Sequence, residues 1–260
     1  HVEAGLRTGN KYSPWPEEMN RVLTANIADL HFAPTVQCQN NLIREKVNPE
    51  KIVITGNTVI DSLMSIIKLM KENEELEIEA KKELTGLDLT RKIILVTGHR
   101  RENFGPGFEN ICNALKLLAE KNQKFDIVYP VHLNPNVKNV VEKKLANISN
   151  VKLIKPLGYL SFIYLKQRCF LVLTDSGGIQ EEAPALGKPV LVMRDNTERP
   201  EALSAGTIKL VGSQPDEIIK NVSILINDEE AYNRMSSAKN PYGDGTSSLQ
   251  IKAAIEAFLC

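Results

Sequence analysis

The 260-residue chain has no excess of either charge: 32 basic and 32 acidic residues cancel. No global field therefore draws it to nucleic acid or to an acidic membrane, and a polyanionic ligand has to be held by a local site. Cysteine is sparse. Cys38, Cys112, Cys169 and Cys260 lack any CxxC spacing and two of them sit inside apolar runs. That excludes a disulfide framework or a zinc-ligand set and leads to the expectation of reduced thiols in a cytoplasmic protein. No apolar run approaches membrane-spanning length and no signal-peptide pattern is present, so no membrane partner is expected. Internal repeats and low-complexity tracts are absent too. So is an initiator methionine: the chain begins "HVEAGLRTG", which reads as a strand end entering a loop. A strand edge needs partners, and the expectation is that these residues are the back part of a longer protein.

What is present is the composition of a soluble globular protein, with 42% hydrophobic and 25% charged residues, enough chain for one large domain or two ordinary ones. Short β-branched runs alternate with helical patterns. Strands are predicted within 29–35, 51–55, 92–98, 125–131, 151–154, 170–175, 189–193 and 207–212. Helices are predicted over 17–28, 36–46, 59–83, 107–121, 136–146, 161–167, 179–186, 215–226 and 229–236, with one more after "NPYGDG". Near-continuous apolar strands alternating with helices predict an α/β protein of parallel, doubly wound sheets covered on both faces. The charged stretch "KENEELEIEAKKELTG" reads as a solvated helix or hinge region. It divides a first block, 1–87, with two or three strands, from a second, 88–242, whose six strands make a complete Rossmann-like unit. Residues 243–260 form a terminal helix expected to pack back toward the first block.

In open α/β sheets ligands bind beyond the carboxyl ends of strands, at helix N-termini. "LTDSGGIQEEAPALGKPVLVMR" (173–194) fits that rule. Ser176 is a candidate helix cap, while Gly177 and Gly178 let backbone N–H groups approach an anion without Cβ interference. Glu182, one turn deeper, is placed to accept hydrogen bonds from ribose hydroxyls. An ordinary strand-to-helix turn with dipole-favoured glutamates is the plainer alternative. "GHRRENFG" (98–105) is a second strand-end segment. His99 there can act as an acid or hydrogen-bond a phosphate, with Arg100 and Arg101 as further cations or simply as a solvated loop. At the start of the chain Glu3 ends a strand, and Glu17 and Glu18 open a helix after Pro16, with Ser13 upstream. "MRDNTERPEA" (193–202) is read as a loop in which an arginine could clamp a phosphate.

Together, "HVEAGLRTG…SPWPEEMNR", "ITGNTVIDSL", "VTGHRRENFG", "YPVHLNPNV", "LTDSGGIQEEAPALGKPVLVMRDNTERPEA" and "NPYGDG" resemble the non-hydrolysing UDP-N-acetylglucosamine 2-epimerases over virtually the whole chain. The resemblance implies two Rossmann-like doubly wound domains of the B-type glycosyltransferase architecture, the first here only partly present, with UDP in the interdomain cleft. It implies interconversion of UDP-N-acetylglucosamine and UDP-N-acetylmannosamine without NAD and without an obligatory metal, hence no cofactor, in a homodimer. Glu3, Glu17 and His99 match the family's catalytic residues. Ser176, Gly177, Gly178, Glu182 and Arg199 match its UDP-binding set, and Phe162 a residue near the uracil. Arg100 and His132 are candidates for a second nucleotide-sugar site of bacterial relatives. Two departures stand out: Leu157 and Gly158 occupy the place of a frequent Gln before "EYL", and the family's leading segment, with a phosphate-binding Arg and Lys and a catalytic Asp, is not in this sequence. A hydrolysing relative, or an inactive fragment that binds UDP, remains the alternative reading.

Overall fold

The computed structural model describes residues 1–12 and 15–260, so Ser13 lies outside the described residues. The chain opens with α1 (Glu17–Ile27), β1 (His31–Ala33), α2 (Val36–Arg44), β2 (Ile52–Ile54), α3 (Thr58–Glu72) and α4 (Glu74–Lys82). Strands and helices then alternate: β3 (Lys92–Thr97), α5 (Pro106–Lys121), β4 (Phe125–Pro130), α6 (Pro135–Leu145), β5 (Val151–Ile154) and α7 (Tyr159–Arg168). After them come β6 (Leu171–Thr174), α8 (Ile179–Ala185), β7 (Val190–Val192), α9 (Pro200–Ser204) and β8 (Ile208–Leu210). Three helices close the chain: α10 (Pro215–Asn227), α11 (Glu229–Ser236) and α12 (Ser247–Leu259).

The chain divides into two compact units, the first made of 1–65, 197–205 and 240–260, the second of 66–196 and 206–239. The division expected at 87/88 falls instead at 65/66. The charged stretch belongs to the second unit because it has partners there: Glu77 accepts from the Tyr164 hydroxyl at 3.3 Å, and Glu83 accepts from the Gly158 N–H at 2.7 Å. The single helix expected over 59–83 is two. Asn73 leaves helical geometry (φ −134°) and its side chain accepts from the Glu75 N–H, which starts α4 afresh. The 193–202 stretch read as a loop contains α9, started by Pro200 at its first helical position.

In the second unit six parallel strands run in the order β5-β4-β3-β6-β7-β8. This is the doubly wound order, with its reversal between β3 and β6. Both of those strands are almost wholly buried, as a sheet with helices on both faces requires. Ile94, Val96, Leu171, Leu173 and Leu191 join Phe108, Ile111, Leu115, Val137 and Val222 from the helices in one core. The first unit is smaller. Its two parallel strands, β1 and β2, are extended by a bridge from Val2 to Phe32, over a core of Ala4, Leu6, Ala25, Ala33, Cys38, Leu42 and Ile52. Cys38, Cys112 and Cys169 are buried, Cys260 is exposed, and none of the four is in a disulfide.

Candidate functional site

The reversal between β3 and β6 in the second unit brings two loops together. Thr97 and Thr174 are register partners whose hydroxyls lie 2.6 Å apart, so 98–103 and 175–178 leave the sheet side by side. Asp175 ties them. Its side chain is fully buried, and Oδ2 accepts the N–H groups of His99 (2.9 Å) and Arg100 (2.8 Å) and the Asn103 amide (3.4 Å). Oδ1 has no hydrogen-bond partner and lies 3.7 Å from His99 Nδ1. Arg194, also buried, holds Glu102 at 2.6 Å from the end of β7, and Tyr129 donates to the Gly98 carbonyl at 2.9 Å. A Cβ on Gly98 would stand 3.0 Å from that hydroxyl, which accounts for the glycine.

His99 is 44% exposed and stacks on His132, centroids 5.3 Å apart. Burial lowers its pKa from the ordinary value; Asp175 acts the other way, and His132 and Arg100 add to the lowering. The imidazole is therefore biased toward the neutral form. Arg100 and His132, proposed as a second site, flank the same loop; His132 Nδ1 accepts the Asn134 N–H at 3.1 Å.

The Ser-Gly-Gly turn follows directly. The helix cap is Gly178, with no side-chain cap hydrogen bond, so the expectation that Ser176 caps α8 is corrected. The Ser176 N–H donates instead to Thr174 Oγ1 at 2.9 Å, and its carbonyl accepts from Gln180. Gly178 has ordinary helical geometry (φ −62°), and a Cβ there meets nothing within 4 Å. Neither strain nor internal packing demands glycine at 178. A ligand approaching the backbone would.

Glu182 is largely buried and paired with Lys166 Nζ of α7, itself 0% exposed. That ammonium also lies 5.0 Å over the Phe162 ring. Burial pushes Lys166 down to about 7, and the adjoining carboxylate works to keep it charged.

In the first unit the "HVE" strand end behaves as read: the Ala4 N–H donates to the Phe32 carbonyl, and Glu3 stands at the end of that bridge with φ +60°. This left-handed conformation is uncommon for a glutamate. Its carboxylate, 42% exposed, accepts from Asn57 Nδ2 at 3.2 Å and faces Arg199 at 3.6 Å. Arg199 also pairs with buried Glu198 at 2.7 Å. The 197–205 segment belongs to the first unit, as does Glu3. Glu17, at the first position of α1, is exposed, and Glu18 is buried. Glu18 accepts the N–H groups of Thr8 and Gly9 and clamps that turn, a structural role. A cavity of about 540 Å³ beside it is lined by Arg7, Lys11, Gln37, Arg44 and Glu45, without Glu3 or Glu17. Among the described residues no group of three or more His, Cys, Asp or Glu is placed to hold a metal ion, and no helix is long and apolar enough to cross a membrane.

Two functional-looking residues escaped the sequence. Asp175 was visible in "TDSGG", but its role depends on a loop 76 residues earlier in the chain. Lys166 sits in a polar-looking "LKQR" and gave no signal.

A family model described as UDP-N-acetylglucosamine 2-epimerase matches residues 1–256. The chain is 54% identical over 258 residues to the UDP-N-acetylglucosamine 2-epimerase of Salmonella typhimurium, covering 99% of this chain and 69% of that protein. The Escherichia coli K12 protein of the same name is 54% identical over 256 residues, covering 98% and 68%. The crystal structure of the Neisseria meningitidis UDP-GlcNAc 2-epimerase bound to UDP-GlcNAc superposes with a TM-score of 0.94 at 48% identity, over 99% of this chain and 69% of that one. The S. aureus MnaA–UDP co-structure gives 0.89 at 42% identity, over 100% and 68%. The wall teichoic acid polymerase TagF, at 13% identity and 0.57, shares the fold alone.

Proposed function

The chain belongs to the UDP-N-acetylglucosamine 2-epimerase family, and from that premise we propose that it serves the reversible inversion of carbon 2 between UDP-N-acetylglucosamine and UDP-N-acetylmannosamine. The observation that carries the reading is the buried Asp175, which gathers the His99 loop and the Ser176–Gly178 turn at the strand-order reversal of the second unit. Bare amides, an imidazole and a glycine that the fold does not require are what a diphosphate needs there.

The proton on carbon 2 has no adjacent carbonyl to acidify it. Breaking the bond between carbon 1 and the UDP oxygen first develops positive charge at carbon 1, and the neighbouring proton becomes removable. UDP leaves with the bonding pair, a carboxylate takes the proton, and the sugar becomes a glycal. Re-addition of the UDP oxygen to carbon 1, with a proton delivered to the opposite face of carbon 2, gives the epimer. Two faces need more than one acid–base group, and Glu3 and Glu17 are the candidates, both solvent-accessible carboxylates. Arg199, held beside Glu3, supplies positive charge. His99, neutral when free, gains a proton as the diphosphate dianion arrives, because a nearby negative charge raises an imidazole pKa. Phe162, Ser176, Gly177, Gly178 and Glu182 bind the UDP. Arg100 and His132 remain candidates for a second nucleotide sugar.

The reading extends to a cytoplasmic homodimer whose product supplies N-acetylmannosamine units for cell-surface polysaccharide. Incubation with UDP-N-acetylglucosamine in heavy water is expected to place deuterium at carbon 2 of the recovered sugar. Release of free UDP in step with sugar from the outset would select a hydrolysing reaction instead. UDP binding by calorimetry with no deuterium uptake would leave this chain a nucleotide-binding role alone.

A further inference from the structure

Resting on the reading above, we propose that Lys166 is a positioning residue for the nucleoside half of the site, fixing from inside the core the carboxylate and the ring assigned to ribose and base. Lys166 is 0% exposed, the one buried lysine among the described residues. It reaches two of the UDP-assigned residues at once: Nζ pairs with Glu182 Oε2 on α8 and lies 5.0 Å over the Phe162 ring, one turn earlier on its own helix.

Packing alone does not explain it. Burying an ammonium is costly, and an apolar side chain of similar length would fill the same volume more cheaply. What a lysine adds is direction. With Oε2 held by the lysine, the Glu182 carboxylate is restrained and Oε1 is the oxygen offered to hydroxyl donors. Over Phe162, the same cation sits on the ring's negative face and restrains its tilt.

The test compares UDP with 2′,3′-dideoxyuridine diphosphate, which lacks both ribose hydroxyls, by calorimetry on this chain and on Lys166→Met and Glu182→Gln. The wild type is expected to prefer UDP by about tenfold or more, the range for hydrogen bonds to a charged group. Lys166→Met should bring that preference to within about threefold of unity, as Glu182→Gln does, and the double variant should be no worse than either. A lysine of merely structural value would lower the melting temperature and leave the ribose preference intact, which would overturn the proposal. Should Lys166→Met not fold, the Lys166 side-chain carbon NMR signal of the wild type serves. It is expected to shift with UDP and not with the dideoxy analogue, and equal shifts would overturn the proposal. A wild type that binds neither nucleotide overturns the proposed function itself; a wild type with the preference and a Lys166→Met that keeps it overturns this inference alone.

Discussion

At the scale of single residues, glycines in this chain do different work. Gly5 has φ +90°, and a Cβ there would fall 2.2 Å from the Cys38 carbonyl oxygen; that glycine belongs to the fold. Gly178 has helical φ and open space before it, so Gly178→Ala removes backbone entropy from the unfolded chain without a clash. It is expected to leave stability unchanged or raise it by up to ~1 kcal/mol while weakening UDP binding about tenfold by blocking approach to the amides. Calorimetry and thermal melting on Gly178→Ala and Gly5→Ala separate the two, since Gly5→Ala should fail to give a folded first unit. His99 makes a second residue-scale prediction. Its pKa is lowered on folding, mainly by burial, so the unfolded chain takes up the proton first as pH falls. Its share of stability is present above the unfolded value of about 6.5 and is lost as pH drops through that value toward the folded one. Histidine NMR should show His99 titrating below the usual range and moving upward when UDP is bound.

At the scale of elements, the terminal helix shows how a short polar contact fixes a long segment. Asp61 on α3 accepts the N–H groups of Ser247 (3.1 Å) and Ser248 (2.6 Å) and the Ser248 hydroxyl. It thereby satisfies the first turn of α12, which has no cap of its own. Burial raises the Asp61 pKa, yet the Ser248 and Ser247 hydrogen bonds outweigh it and hold the group below its ordinary value. The contact therefore contributes above the unfolded value of about 3.8–3.9 and is lost as pH falls further, toward the depressed folded value. Asp61→Ala is expected to cost about 1–2 kcal/mol and to speed amide exchange at 247–250, with β3–β8 unaffected. Exchange rates unchanged across 247–250 would show that α12 does not depend on this cap.

At the scale of the whole molecule, the two units differ in what they bury. Among the described residues the second has six strands and a continuous core of more than twenty buried apolar side chains, the first two strands and a cluster of seven within thirteen buried apolar side chains. Local stability follows buried apolar contact. Hydrogen exchange should therefore find β1 and β2 opening well before β3, β4 and β6. Val2, Leu23, Ile27 and Val36 of the first unit are exposed, so association on concentration is expected to involve that unit. Sedimentation equilibrium with Leu23→Gln and Ile27→Gln variants checks the proposed homodimer.

The residue order by itself determined the α/β class and the six strands of the second unit. Apolar runs of strand length and glycines at strand ends are local signals, read within about ten residues. It missed what depends on pairs far apart. The 59–83 pattern read as one helix because the periodicity survives Asn73, whose break becomes visible when its side chain caps α4. The place of 66–87 was set by Tyr164 and Gly158, near neighbours in space alone. Asp175 and Lys166 find their partners in a loop 76 residues upstream and a glutamate 16 residues downstream, respectively. Tertiary structure decided these because a buried charge is tolerable where folding brings it a partner, and no local pattern carries the identity of that partner.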